Sequence, residues 1–540
     1  MLHADACGRH RDRGVSTPVC SYLYSSSNSV DMKPVLLITA ILLSSLCSFS
    51  QEPADALRYS WYIQGGSARQ QAIGGAMGSL GGDISATFVN PAGIAFFRTT
   101  DFVLTPGYNF QSNKSSYFER TEKIKKSLFS FGTTGFVGGE GNDRITNSYS
   151  LAVNRTASFG NHILYRGTNN QSSYSQKFLE EIRNGNVKDA NAAAQNFPFG
   201  TSLAFNTYWI DTIGGGTSGN YQFQTRAPIA TGLLQQNEMT TKGGITDLAI
   251  AGASNFKNKL LVGLALGLSF LDYTRDATFI EADATTNPNN KFDFASITES
   301  LSTNGMGLNL KFGLIYKPSE SWRLGFAAHS PTFYGLKDKY TATVTANTES
   351  YQGMLTQSST LFTNGEPSQF KYVLFTPYRV IGSISYVLRE IQDVKKQKGF
   401  LTADVEYVNH KFSSFHVDPD NNDSGTKTYF KSLNKAIDNA YKGVINVRAG
   451  GELKFTTIMV RLGTAYYGNP YKNIHGEKGS RFQLSGGLGY RNKGMFVDLT
   501  YVYTMTKDVH YAYRLQYSNF TGANIKTNGG NVLLTVGFKI

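Results

Sequence analysis

The 540-residue chain offers few side chains at spacings that do chemistry. Beyond residue 50 its histidines stand at positions 162, 329, 410, 416, 475 and 510. None forms a His-x-x-x-His pair or a His/Glu set that would turn two zinc ligands to one helix face. No Gly-x-Ser-x-Gly elbow presents a serine nucleophile, and no Walker-type glycine loop is there to cradle phosphates. Asp418, Asp420, Asn422 and Asp423 begin a calcium-loop spacing. Its sixth position is Asp423 where glycine must turn the chain, and its twelfth is Tyr429 where a bidentate Glu must close the shell. A solvated acidic loop is the better reading. All three cysteines, Cys7, Cys20 and Cys47, precede residue 51, so no thiolate serves a metal, a disulfide or a nucleophile after it. The sequence therefore indicates no enzyme, no catalytic residue, no metal site and no cofactor. Asp404 and Glu406 share one face of a strand starting at Leu401 and are expected to make structural salt bridges with Arg448 or Arg461.

The elements that carry these residues follow from composition and period. Hydrophobic residues make up 40%, aromatics 13% and charged residues 17%, with 55 Gly and 14 Pro. Mean hydropathy is −0.27. One apolar run, near the N-terminus, approaches the roughly 20 residues of a membrane helix, which excludes a helical transporter. The aromatic content excludes disorder. The net charge of +13 is spread without a dense basic cluster, so nucleic acid is not the expected partner. Solvated loops, some facing an anionic lipid surface, account for it.

Beyond residue 100 the dominant period is two. Leu260, Val262, Leu264, Leu266, Leu268 and Phe270 alternate with mostly small residues, and Leu308 to Tyr316 alternate with Asn309, Lys311 and Gly313. Similar runs start at Trp322, Ile445, Ile458 and Met495. Charged residues on the second face require that it line a polar interior. Connections at 255–259, 317–321, 455–457 and 491–494 are short, whereas those near 272–303, 329–375, 410–440 and 505–530 are long and polar. Short turns at one end and long loops at the other are the pattern of an outer-membrane barrel. The last run, Val532 to Ile540, supplies a closing strand with the terminal form that barrel-assembly machinery reads. Eleven strands from Thr246 onward and three before it (Phe102 to Phe110, Ser127 to Phe136, Ile145 to Tyr165) predict an all-β transmembrane antiparallel barrel of about fourteen strands. The third breaks at Ala157 to Asn161, leaving either a kink or a short turn. Residues 168–243 become an external excursion with an amphipathic helix over Phe178 to Ala194.

Ahead of the barrel, Met32-Lys33 opens a secretory leader with an apolar stretch to Leu46 and a small-x-small end at Ser48 and Ser50. Residues 1–31 then read as an extension upstream of the true start, and 32–50 as a signal peptide. Residues 51–99 read as an N-terminal plug and 100–540 as the barrel with long external loops. Seven glycines from Gly65 to Gly82, Gly74 and Gly75 among them, stand with Ile73, Met77, Leu80, Ile84, Phe88 and Ile94 in a composition for a tightly turning folded segment and not a linker. Asp83 is expected to cap a short helix there, and Asn90-Pro91 to start a turn.

The run Ala68 to Ala95, ending in Asn90, Pro91 and Ala92 with Gly93, resembles the N-terminal signature of the FadL family, also called TodX, of outer-membrane hydrophobic-compound transporters. Lys242-Gly243-Gly244, Trp322-Arg323-Leu324-Gly325, His329-Ser330-Pro331-Thr332, Thr376-Pro377-Tyr378-Arg379, Leu401 to Tyr407, and Ser432 to Tyr441 leading into Arg448 to Glu452 are similar to Bacteroidetes-type members, in the family's order. The similarity spans residues 51–540. It implies a hatch inside a fourteen-stranded barrel and passive uptake of a hydrophobic small molecule or lipid, such as a fatty acid or aromatic hydrocarbon. Release would run sideways at a kinked third strand. Asn90, Pro91, Ala92, Gly93, Gly74 and Gly75 would gate, and Phe88, Phe96, Phe97, Phe197 and Phe199 would line the path. The implied setting is a monomer in the cell outer membrane beside lipid and lipopolysaccharide. An alternative within the resemblance stays open, a scaffold or shuttle that binds exported proteins in a secretion system. N-terminal sequencing of the exported protein is expected to start at Gln51; any residue before it disproves the leader assignment.

Overall fold

The structure, a computed structural model, describes residues 51–142, 144–213, 220–285, 287–388, 398–420, 423–472 and 479–540. The leader and the residues upstream of it, together with His475 and Asn422, lie outside these. Each alternating run becomes a strand, and fourteen of them form the wall of a closed antiparallel barrel. The first is Asp101–Leu104 continued by Pro106–Tyr117; the second, Arg120–Phe131 and Thr134–Gly141; the third, Ile145–Ser158 and Asn161–Asn169. The fourth to sixth are Leu233–Phe256, Leu260–Asp283 and Phe294–Tyr316. The seventh (Trp322–His329, Phe333–Asn347), eighth (Ser368–Phe375, Arg379–Leu388) and ninth (Gly399–Asn409, Ser414–Val417) each bend once. Gly443–Phe455, Ile458–Tyr467, Arg481–Asn492, Met495–His510 and Ala523–Lys539 complete the set. Closure follows from the register Asp101↔Lys539 through Leu104↔Val536, then Gly107↔Leu533 onward.

The bulky face of each strand points outward. Leu264, Leu310, Leu401, Val447, Leu462 and Leu499 are all exposed. Each such side chain is worth about 1.5–3 kcal/mol when taken out of water, so a belt of them around the whole wall requires hydrocarbon outside it. Among the described residues no helix is long and apolar enough to cross a membrane.

The turns fall where the sequence places them, but the wall rises higher than expected. The stretch 272–303 is not a loop: the fifth and sixth strands run to Asp283 and from Phe294 as one long ladder. Above the bilayer both sheet faces meet polar surroundings, so the alternation that marks a strand fades while the backbone pairing continues. The same applies to 329–375, which holds the outer halves of the seventh and eighth strands and the hairpin strand Met354–Ser358. The loop near 410–440 carries the helix Ser424–Ala440, capped by the Asp423 carboxylate accepting from the Thr426 amide. The helix expected over Phe178 to Ala194 is two, Ser175–Asn184 and Ala190–Gln195, broken where Gly185 ends the first and Asn186 takes φ +48°. Around them Phe178, Leu203, Trp209 and Phe279 form the apolar core of an external cap.

Inside the wall, charges pair across strands. Arg448 meets Glu406 at 3.4 Å and Asp404 at 3.8 Å, while Arg461 instead bonds Glu452 and Asp498, each at 2.6 Å. Removing one partner of a buried ion pair strands the other charge, at a cost of about 3–5 kcal/mol. Arg461→Met is therefore expected to lower stability by about that much in urea unfolding from lipid vesicles, and an unchanged midpoint shows that the cluster is hydrated.

Candidate functional site

Residues 51–99 fill the barrel interior, and small residues on both sides make that possible. A Cβ on Gly463 would lie 2.1 Å from the Gly74 nitrogen, one on Gly263 2.4 Å from the Ala92 nitrogen, and one on Gly450 2.4 Å from the Ile73 carbonyl oxygen. The wall is thus a pavement of missing side chains on which the backbone of the segment rests. Ile73, Met77, Leu80, Ile84, Phe88 and Ile94 form its core with Ala249, Ala265 and Ala327 of the wall. They are carried by short helices and turns, not by one helix. Asp83 does not cap a helix; its carboxylate accepts from the Ser67 hydroxyl and the Ser85 amide.

Hydrogen bonds then fix the segment to several strands of the wall. The Met77 and Gly78 amides donate to Asp404, both at 3.0 Å, and the Gly74 amide to the Ser485 hydroxyl at 3.1 Å. The Arg323 guanidinium donates to the Leu80 carbonyl at 2.6 Å, and His329 Nε2 contacts the Val89 carbonyl at 2.8 Å. Of the residues expected to gate, Asn90 is the hub. Its Oδ1 accepts from the Ala92 amide and caps the short helix Pro91–Phe96, while its Nδ2 donates to the carbonyls of Gly78, Leu314 and Phe326. Gly93 hands its carbonyl to the Gly82 amide. Gly74 and Gly75 take φ of +69° and +79°, a back-to-back left-handed turn that a side chain would strain.

Above the plug lies a cavity of about 720 Å³. Its floor is a strap of residues 57–66, held down by cations of the wall: the Arg481 guanidinium lies 3.6 Å over the Trp61 ring and that of Arg379 4.3 Å over Tyr62. Burial pushes the Tyr62 phenol above its ordinary pKa, against the pull of Arg379, so it stays neutral. Arg58, Lys126, Arg155, Lys177, Arg275, Arg481, Lys507 and Arg514 contribute positive charge to the lining, against Glu52, Glu299 and Asp508.

None of the five aromatics expected on a ligand path lines this cavity. Phe88 belongs to the core of the plug, and Phe96 sits under the Arg323 guanidinium at 4.4 Å. Phe97 is half-buried beside Ser148, whose hydroxyl donates to its carbonyl. Phe197 and Phe199 lie in the external cap, Phe199 against Tyr340 at 5.4 Å between ring centres. Rings that do face the cavity include Trp61, Tyr62, Phe159, Tyr174, Tyr273 and Tyr441. For Trp61 and Tyr62 the available signal was the aromatic cluster just ahead of the glycine-rich run. The histidines stay apart, with His162 on Glu238, His416 on Ser414 and His510 on Tyr165. Among the described residues no group of three His, Cys, Asp or Glu is placed to hold a metal.

The cavity reaches the wall at a seam. The outer half of the second strand, Arg120–Phe131, pairs along its length with the first, and the outer half of the third, Asn161–Asn169, pairs with the fourth. Between these two halves no backbone ladder forms. The third strand shifts register between Arg155 and Ala157 and breaks at Phe159-Gly160, within the stretch where a kink or turn is expected. Side chains stitch the seam instead. Lys126 donates to the carbonyls of Asn161 (3.0 Å) and Thr241 (2.8 Å), Asn113 to the His162 carbonyl (2.6 Å), and Arg166 pairs with Glu122 (2.6 Å). Leu128 lies over Gly160 so closely that a Cβ there would be 1.8 Å from its Cδ1.

A fourteen-stranded antiparallel barrel with its N-terminal segment inside and a cavity above that segment is the fold of FadL-type channels. Two solved structures show this likeness: a Pseudomonas aeruginosa FadL homologue, at 13% identity over 89% of this chain and 99% of that one with a TM-score of 0.51, and a deltaS2 mutant of the TodX monoaromatic hydrocarbon channel, at 12% identity over 88% and 99% with a TM-score of 0.51. No protein-family model and no curated protein matches the sequence.

The contact of Gly463 with Gly74 sets a test. Gly463→Val is expected to lift the 73–75 turn off the wall and raise single-channel conductance in planar bilayers several-fold, with the folded barrel's fast gel migration retained. Unchanged conductance means that this contact does not seal the lumen.

Proposed function

We propose that this chain is an outer-membrane channel for passive uptake of hydrophobic small molecules, with residues 51–99 as its hatch. The observation that carries the reading is the cavity between hatch and cap that opens on an unladdered seam of the wall. A greasy solute gains nothing from a wet pore, whereas an aromatic-lined chamber takes it out of water and the seam offers the bilayer directly. The break at Phe159-Gly160 supplies the sideways exit. Asn90 to Gly93 and the Gly74-Gly75 turn are the parts of the hatch whose displacement would open a path past the plug. Catalysis is not part of this function.

The lining refines the ligand. Guanidinium and ammonium groups outnumber carboxylates around the cavity, so an apolar body with an anionic head fits it better than a bare hydrocarbon. Long-chain fatty acids and aromatic acids are of this kind. The protein works as a monomer, delivered by its leader and inserted by the assembly machinery through its last strand.

Gly160→Phe is expected to fill the seam and reduce uptake of a fluorescent fatty acid into proteoliposomes several-fold, with the gel migration of the folded barrel kept. Full uptake in that variant disproves the lateral route. Mass spectrometry of small molecules extracted from the purified protein is expected to find an anionic amphiphile; a co-purifying secreted protein with no bound lipid decides for the scaffold.

A further inference from the structure

The outer surface of the wall carries a row of like charges where the second, first, fourteenth and thirteenth strands lie side by side. Lys123 is directly opposite Lys114, Lys114 opposite Lys526, and Lys526 opposite Lys507. With neighbouring strands about 4.8 Å apart, four amines line up over roughly 14 Å. Lys125 stands one outward position below Lys123 on the same strand. All five are exposed. Among the described residues none of them has an ion-pair or hydrogen-bond partner. The acids nearby are turned elsewhere: Glu122 pairs with Arg166, Asp508 lines the cavity, whose rim Lys507 at the end of the row also borders, and Glu119 sits in the hairpin turn beyond the row.

Like charges directly opposite one another destabilise a sheet. Three successive Lys–Lys pairs with no acid among them therefore call for an anion from outside. Their depth says which kind. The outward positions of the first strand from Phe102 to Phe110 span nine residues, the length a tilted strand needs to cross the hydrocarbon. At its upper edge the register aligns Phe129, Tyr108 and Tyr501, then Phe110 and Tyr503, an aromatic girdle at the lipid–water boundary. The lysine row lies four residues beyond Phe110, roughly 10 Å along the normal once the strand tilt is allowed for. That is the layer of lipid headgroup phosphates.

We infer that the Lys123–Lys114–Lys526–Lys507 row binds the phosphates of a phosphorylated glycolipid anchored in the outer leaflet. Lysine binds phosphate as a point charge, and a line of four tolerates headgroups of different spacing. The row ends on the second strand, whose other edge is the unladdered seam, so the lipid it holds borders the seam and screens its outer mouth with a fixed neighbour. The inference rests on the barrel's place in the outer membrane.

The test uses the mature protein in phosphatidylcholine nanodiscs with equal mole fractions of lipid A and dephosphorylated lipid A, counted by native mass spectrometry. Wild type is expected to retain the phosphorylated form by about tenfold. The quadruple variant Lys114→Gln, Lys123→Gln, Lys507→Gln, Lys526→Gln should lose that preference, while Lys114→Arg, Lys123→Arg, Lys507→Arg, Lys526→Arg keeps it. Equal retention by wild type and the Gln variant overturns the site. So does binding of inorganic tripolyphosphate by detergent-solubilised protein as tight as that of lipid A, which points to a soluble anion. Failure of the wild type to insert into nanodiscs, seen before any lipid A is added, overturns the membrane placement itself.

Discussion

Hydrocarbon accepts no unpaired backbone N–H or C=O without a cost of several kcal/mol, and the rest of this structure follows from that constraint. It forces the sheet to close, Asp101 against Lys539, and forces the bulky half of every strand outward. One departure stands out against it. Along the outer halves of the second and third strands the backbone pairing stops, and Lys126, Asn113 and Arg166 supply side-chain bonds where ladder bonds belong. At that place side chains, and not the backbone, hold the wall together.

The plug obeys a different constraint, set by space. Wall and plug meet at glycine and alanine on one side and at main chain on the other, so the fit leaves little for side chains to adjust. What holds the segment is polar: Asp404, Ser485, Arg323 and the Asn90 amide all bond to backbone. Such contacts exchange for water at modest net cost. A packed apolar seal around the whole rim would be far harder to release.

Much of this was legible in the alternation. The turns after Phe256, Tyr316 and Asn492 stand where charged and glycine residues interrupt the period, that after Phe455 at a Thr-Thr pair, and the closing strand lies in the last alternating run. The small-residue face of Leu260 to Phe270, visible in the alternation, is the side on which the plug rests. The tall outer strands were hidden because their two faces meet similar surroundings, and period two carries information only when one face is buried. Asp404 reads correctly as a partner of Arg448, whereas Arg461 goes to Asp498, on a strand 37 residues further along, which only the register settles. The cavity aromatics were least legible. Phe88 and Tyr62 look alike in sequence, and one packs into the plug while the other faces the chamber solely because of where the chain turns.

The plug precedes the first strand, yet its seat is built by the last ones: the Ala68 amide bonds to Thr535 and the Ala68 carbonyl to Thr500. Closure itself brings together Thr105 and Thr535, 430 residues apart, far more than the separation across any other strand pair, such as Ile145 with Phe256. Loop-closure entropy places so distant a junction last in folding. A barrel whose interior is this tightly occupied admits no late entrant, so its content has to be in position when the edges meet. The N-terminal segment thus serves as the mandrel around which the sheet curls, and errors in it would surface as failures of assembly before they surfaced as leaks.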